Sequence, residues 1–150
     1  FILMDADVLY DQEMIRRLVT TSIDNCLLLD RDFIPGDEPV KICVDKNGRI
    51  NEFRKHIADN LDYTMQGESV GFFKFNNQIG QSLLERIDDY LAKGENKTPY
   101  EEAIRDLLLK DASQFGYEDV TGVPWIEIDF PEDIERAQKE IIPALSPINH

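Results

Sequence analysis

An apolar segment, Phe1-Ile-Leu-Met4, leads directly into Asp5-Ala-Asp7 and constrains the fold more than any other part of the sequence. Its length and composition predict a buried strand. Side chains two residues apart on a strand point to the same face, so Asp5 and Asp7 are expected to lie together. Since ligands of open α/β sheets bind beyond the carboxyl ends of strands, this strand end is a candidate binding site.

Carboxylates at such a position suit a divalent cation. Mg²⁺ prefers hard oxygen ligands and usually takes one or two from protein, with water and phosphate completing its octahedron. Aspartate is also a common strand terminator, so the Asp5-Ala-Asp7 pattern alone leaves both interpretations open.

Charge and composition exclude several classes of protein. The chain has 150 residues with 42% hydrophobic content, which predicts one globular domain. Its net charge of −14 disfavours binding to nucleic acid. The largest basic groups, Arg16-Arg17 and Arg54-Lys55-His56, are sufficient to contact one phosphate.

The cysteines and the apolar segments indicate in which cellular compartment the protein is expected. Cys26 and Cys43 lie in apolar runs without Cys-x-x-Cys spacing, which predicts reduced core thiols and a cytoplasmic protein. The sequence contains no run of about 18 apolar residues, the length that a membrane span needs, and no secretory leader is recognisable. His56 and His150 have no partners at ligand spacing and are expected to be exposed.

Strand and helix patterns alternate along the chain. Strands are predicted at residues 1–4, 25–30, 40–44, 49–53, 67–75 and 125–130, and helices at 11–21, 78–91, 99–110 and 131–142. Asp45-Lys-Asn-Gly48 predicts a hairpin in which Asn-Gly supplies positive φ values. The pattern favours a layered α/β domain with a mixed sheet.

The late strand has an acidic face. Trp125, Glu127 and Asp129 alternate on one side, while Ile126, Ile128 and Phe130 take the other. The chain also begins inside a predicted strand, so we expect residues 1–150 to be the C-terminal portion of one N-terminally truncated domain.

Several motifs together resemble the sugar-phosphate type of nucleotidyltransferase, most closely the phosphocholine or phosphonate cytidylyltransferases. The matching segments follow the family's order: Asp5-Ala-Asp-Val8, Glu38-Pro-Val-Lys41, Arg54-Lys55, Gly67-Glu-Ser-Val-Gly-Phe-Phe-Lys-Phe75, Tyr100-Glu-Glu-Ala103 and Pro124-Trp-Ile-Glu-Ile-Asp-Phe-Pro-Glu-Asp133. The resemblance implies a Rossmann-like, GT-A-like nucleotidyltransferase fold. It also implies an enzyme that joins a nucleoside triphosphate to a phosphorylated small molecule and releases pyrophosphate. The cytidylyltransferase branch implies that this triphosphate is CTP.

The resemblance also implies roles for individual residues. Asp7 and Asp129 would be the catalytic Mg²⁺ ligands, with Asp5 an auxiliary ligand, and Lys55 would approach the acceptor phosphate. The family's glycine-rich N-terminal signature is absent, so this chain is not expected to catalyse alone. A cationic acceptor such as phosphocholine or 2-aminoethylphosphonate would contact aromatic rings and carboxylates; the candidates are Glu68, Tyr100, Glu101, Trp125 and Glu127.

Other interpretations remain at this stage. Trp125 could equally be a half-buried packing residue, and Glu101 a helix-terminus acid. A sugar-1-phosphate nucleotidyltransferase, a metal-dependent GT-A glycosyltransferase and a non-catalytic binding or assembly fragment are the alternative functions.

Overall fold

The computed structural model describes residues 1–147 and contains eight strands in that range. In chain order they are β1 (Ile2–Met4), β2 (Val8–Tyr10), β3 (Cys26–Asp30), β4 (Lys41–Val44), β5 (Ile50–Arg54), β6 (Met65–Lys74), β7 (Gly116–Asp119) and β8 (Trp125–Glu127). Helices separate several of these strands: α1 (Gln12–Thr20), α2 (Asn77–Ala92), α3 (Tyr100–Lys110) and α4 (Pro131–Arg136). After α4 the chain continues helically through a wider turn and a 3₁₀ turn to Ala144.

Strand β6 is the centre of the main sheet. It pairs antiparallel with β3 on one edge, whereas β4 and β1 pair antiparallel with its first and second halves on the other. β5 extends the sheet beyond β4, and β7 pairs parallel with β3. The sheet is therefore mixed, as the sequence predicts.

Hydrophobic cores lie on both faces of this sheet because alternate strand residues point in opposite directions. Leu27 and Leu29 of β3 join a core under α2 and α3, whereas Cys26 and Leu28 join the core under α1. Both cysteines are fully buried and free, which confirms the prediction of core thiols.

A short ribbon stands apart from the main sheet. β2 and β8 pair antiparallel, with Val8 opposite Glu127 and Tyr10 opposite Trp125. The sequence patterns missed β2 and β7, because strands of three or four residues show too little alternation to be recognised.

Most of the other element predictions are confirmed within a few residues. Asp11 caps α1, since its side chain accepts a hydrogen bond from the Glu13 amide at 2.8 Å. The hairpin between β4 and β5 also forms, but Gly48 alone has positive φ, at 77°, and Asn47 does not. The turn is instead stabilised by the Asp45 side chain, which accepts hydrogen bonds from the Asn47 and Arg49 amides.

Three predictions were wrong or fall outside the described range. Phe1, Ile2 and Met4 are exposed, because β1 pairs only along β6 and Leu3 is its inward side chain. The late strand ends at Glu127 rather than 130, because the chain turns into α4. His56 is exposed as expected, whereas His150 lies outside the described residues.

Within residues 1–147, no helix combines the length and the apolar character that a membrane crossing requires.

A bulge in β6 brings β1 close to its partner. The pairing with β3 shifts register between Leu27 and Leu29, and Gly71 has a positive φ of 75° at this point. The Gly71 carbonyl accepts a hydrogen bond from the Asp5 amide at 3.0 Å. A Cβ on Gly71 would lie 2.0 Å from Asp5 Oδ2, so a side chain there is excluded by both conformation and space.

We predict that Gly71→Ala lowers the free energy of unfolding by about 3 kcal/mol, measured by chemical denaturation. Gly48→Ala is the matched control, because Gly48 has a similar φ of 77° with nothing within 4 Å of an added Cβ. It should cost only the conformational part, about 1 kcal/mol. Equal losses in the two variants would contradict the steric account of Gly71.

Candidate active site

A cavity of about 430 Å³ opens where the β6 bulge, the end of β8, the first turn of α3 and the loop before β4 meet. Six carboxylate residues and one lysine contribute to its wall: Asp5, Glu38, Glu68, Glu101, Glu127, Asp129 and Lys55. Most of the sequence-predicted site residues therefore meet in one place. Its strongly negative lining favours a ligand that brings positive charge.

Three carboxylates converge at this cavity. Asp7, Glu127 and Asp129 each offer an oxygen, and these oxygens all lie within 4.8 Å of one another. The three side chains are exposed, so an entering ion and its water molecules can reach them. Hard oxygen ligands at this spacing suit Mg²⁺.

The antiparallel β2–β8 ribbon explains this convergence. Asp7 precedes β2, and Asp129 follows β8 by two residues, so antiparallel pairing brings the start of one strand to the end of the other. The Ile128 amide also donates to the Asp7 carbonyl at 2.9 Å. The sequence predicted the proximity of Asp7 and Asp129, but from a shared edge of the main sheet rather than from this ribbon.

Helix α4 fixes the backbone beyond β8. The Asp133 carboxylate accepts hydrogen bonds from the amides of Asp129 and Phe130, at 3.1 and 2.8 Å. Asp129 is thereby held in the turn that precedes the helix, and its own side chain is free to face solvent.

Asp5 lies near this group but is not one of its three members. It is half-buried and accepts a hydrogen bond from the Tyr100 hydroxyl at 2.6 Å. Burial raises the pKa of Asp5, and the nearby charge of Asp7 adds to the increase. Burial and the Asp5 carboxylate likewise raise the pKa of Tyr100. The contact orients both side chains at the cavity wall.

Two glutamates in the cavity hold their protons unusually tightly. Burial raises the pKa of Glu68 to about 7, and the charges of Glu127 and Asp30 contribute. Partial burial, followed by the charges of Asp129 and Asp7, raises the pKa of Glu127 to about 6. Burial and nearby like charges both disfavour the ionised form of a carboxyl group.

Lys55 is the basic residue of the cavity wall. Its ammonium lies 3.1 Å from Glu38 Oε2, and both side chains are largely exposed. Exposed pairs of this kind contribute little to stability, so Lys55 can exchange this partner for an incoming anion. Glu101, in the first turn of α3, is half-buried, and burial raises its pKa.

Trp125 has a different environment from the one that the resemblance implied. Its indole Nε1 donates to Asp30 at 2.7 Å, and its ring packs against the core under α1. Trp125 does not contribute to the cavity wall. This placement favours the packing role over contact with a cation.

Sequence reasoning missed other residues of the cavity. The exposed Phe130 and the residues Ser69 and Gly71 also line it. Phe130 was assigned to an apolar strand face, because nothing in the sequence showed that the strand ends at Glu127.

Comparison with known structures identifies the fold. The inositol-1-phosphate CTP transferase from T. maritima superimposes with a TM-score of 0.61 and 12% sequence identity, covering 98% of this chain and 58% of that one. The chain therefore has the mixed α/β fold of nucleotidyltransferases.

Comparison with known sequences finds a relative that is also named as a transferase. The chain is 27% identical over 144 residues to a protein named "Bifunctional IPC transferase and DIPP synthase" from Aquifex aeolicus (strain VF5). The match covers 95% of this chain and 29% of that protein, so the chain spans less than a third of this relative. No protein-family model matches the chain.

The raised pKa of Glu68 predicts a pH-dependent stability. A carboxyl group that titrates at about 7 when folded and near its ordinary 4.5 when unfolded stabilises the fold fully below pH 4.5. This contribution is lost as the pH rises through 7. Glu68→Gln, which mimics the protonated form, should therefore raise the denaturation midpoint over wild type more at pH 8 than at pH 4.

Glu85→Gln on the exposed surface of α2 is the matched control for this measurement. For each variant, the increase in denaturation midpoint over wild type is measured at pH 4 and at pH 8. The increase should differ more between the two pH values for Glu68→Gln than for Glu85→Gln. The same change in both variants would contradict the assignment of this titration to Glu68.

Proposed function

We propose that this chain contributes the metal- and acceptor-binding part of a cytidylyltransferase-like enzyme. The enzyme would join CTP to a phosphorylated small molecule and release pyrophosphate. The proposal is carried by the convergence of Asp7, Glu127 and Asp129 within 4.8 Å, two of which, Glu127 and Asp129, line a polar cavity. The nucleotidyltransferase fold supports it.

Magnesium is the proposed cofactor, with Asp7 and Asp129 as its ligands. The donor set fits, because all three converging groups are carboxylates and nitrogen or sulfur ligands are absent from the group. When bound, Mg²⁺ would neutralise charge on the triphosphate during in-line attack at the α-phosphorus.

The protein's own residues would bind and orient the substrates. Lys55 would hold the acceptor phosphate, which otherwise meets a wall of carboxylates. The Tyr100–Asp5 hydrogen bond would hold these two side chains in place in the cavity wall. Such positioning, rather than covalent chemistry, supplies most of the acceleration in phosphoryl and nucleotidyl transfer.

For the acceptor we propose a phosphorylated amino alcohol or an aminophosphonate, such as phosphocholine or 2-aminoethylphosphonate. The half-buried carboxylates of Glu68 and Glu101 and the ring of Tyr100 lie in the cavity wall and are not part of the group formed by Asp7, Glu127 and Asp129. Burial raises the pKa values of Glu68 and Glu101, and a cationic head between them would stabilise their charged forms.

Inositol-1-phosphate is the second candidate acceptor, because it appears in the name of the T. maritima protein that shares the fold. We also propose that residues 1–150 form the C-terminal portion of one nucleotidyltransferase domain. The match to 58% of that protein's chain supports the view that this chain corresponds to part of a longer one.

The test is pyrophosphate release by the complete protein with Mg²⁺. Each of the four nucleoside triphosphates is combined with phosphocholine, 2-aminoethylphosphonate, inositol-1-phosphate or glucose-1-phosphate. Activity with CTP and an amine-bearing acceptor is expected. Activity with a sugar or inositol phosphate alone would overturn the acceptor proposal, and no release with any pair would favour a glycosyltransferase or an assembly module.

We predict that Asp129→Asn in the complete protein lowers kcat/KM by about a thousandfold or more, because one metal ligand is lost. The Mg²⁺ concentration needed for half-maximal activity should rise as well. Glu132→Gln, an exposed acid in the first turn of α4, is the matched control and should retain activity. Near-normal kinetics in Asp129→Asn would rule out the metal assignment.

We predict that Glu101→Gln raises KM for phosphocholine about tenfold, because a carboxylate partner of the cationic head is lost. The KM for inositol-1-phosphate should not change. Glu102→Gln is the matched control, since the neighbouring Glu102 pairs with Arg54 outside the cavity. An equal increase in KM for both acceptors would contradict recognition of the amine by Glu101.

A further inference from the structure

A buried lysine lies behind the cavity wall. Lys41 is 8% exposed, and its Nζ donates to the carbonyl oxygens of Gly36 and Lys55, at 2.6 Å each, and of Pro39 at 3.3 Å. A protonated lysine has three N–H donors, and all three are directed at main-chain acceptors here.

The three carbonyl groups come from two neighbouring segments that both contribute to the cavity wall. Gly36 and Pro39 belong to the loop before β4, which places Glu38 and Pro39 in the cavity wall. Lys55 directly follows β5 and lines the same cavity. Neither segment lies within a strand or helix. The exposed Lys55–Glu38 ion pair also joins them, but the hydrogen bonds of Lys41 are the buried connection.

Lys41 is itself held firmly by the sheet. It lies in β4 opposite Arg54 of β5 and opposite Glu68 of β6, so its backbone is paired on both sides. The compact ammonium can reach acceptors from several directions at once, whereas the planar fork of an arginine matches carboxylates and phosphates better.

We propose that Lys41 is a positioning residue of the active site. Its ammonium joins the loop before β4 to the start of the segment after β5, and thereby places the Lys55 side chain for the acceptor phosphate. The role assigned to Lys55 rests on the proposed function, whereas the joining of the two segments does not.

Amide hydrogen exchange tests the joining. In Lys41→Met, amide exchange at residues 36–38, 40 and 55–57 should accelerate about tenfold, because three carbonyl groups lose their charged donor. Lys74→Met is the matched control: Lys74 is also partly buried, and its Nζ donates to the Thr21 carbonyl at 2.9 Å away from the cavity. Unchanged exchange in both segments of Lys41→Met would overturn the proposal.

Kinetics of the complete protein test the positioning of Lys55. Lys41→Met should raise the acceptor KM about tenfold and leave kcat within about threefold of wild type. In a Lys55→Met background the same substitution should add less than about twofold, since the residue that it positions is already gone. Additive effects of the two substitutions would contradict action through Lys55.

Lys41→Arg is the second variant, for use if Lys41→Met does not fold. It retains the charge, so it should fold and show the same two effects at smaller amplitude. Wild-type exchange and wild-type KM in Lys41→Arg would overturn the proposal where Lys41→Met is unfolded. The exchange measurement needs no activity, so it decides the joining of the two segments even where the proposed function fails.

Discussion

Hydrogen bonding along β6 is the constraint on which the rest of the structure depends. This ten-residue strand pairs with β3 on one edge and with β4 and β1 on the other. Its bulge at Gly71 brings Asp5 and, through it, Tyr100 to the cavity. Its first half carries Glu68 into the same cavity, opposite Lys41 of β4.

Electrostatic repulsion is the second organising feature. The cavity wall contains six carboxylate residues and one lysine, and burial together with the charges of neighbouring acids raises the pKa values of Glu68 and Glu127. A protein retains such an arrangement at the expense of stability where a cation relieves it in function. A divalent ion at Asp7 and Asp129 and a cationic acceptor near Glu68 and Glu101 would each provide that relief.

Local patterns were sufficient to predict most of the fold. Apolar alternation and capping residues identified the long elements, and the mixed α/β sheet follows from their order. β2 and β7 were missed because they are short, and the exposure of β1 could not be foreseen because burial depends on which strands pair. Propensity carries no information about such tertiary pairing.

The candidate site was predictable in composition but not in arrangement. The order of the motifs suggested Asp7 and Asp129, and the structure brings both together through the β2–β8 ribbon. The Tyr100 contact of Asp5 and the Asp30 contact of Trp125 each join residues 95 positions apart, which no local pattern reveals. The sequence does not reveal that Lys41 is buried behind the cavity wall, because an isolated lysine in a strand is most often exposed.

Locating the bound ion tests the central claim most directly. Crystals of the complete protein grown with CTP and Mn²⁺, which accepts the same oxygen ligands as Mg²⁺ and scatters anomalously, would give a position for the metal. The proposed function predicts an anomalous peak about 2.2 Å from carboxylate oxygens of both Asp7 and Asp129. A metal bound to the nucleotide but remote from both aspartates would contradict it.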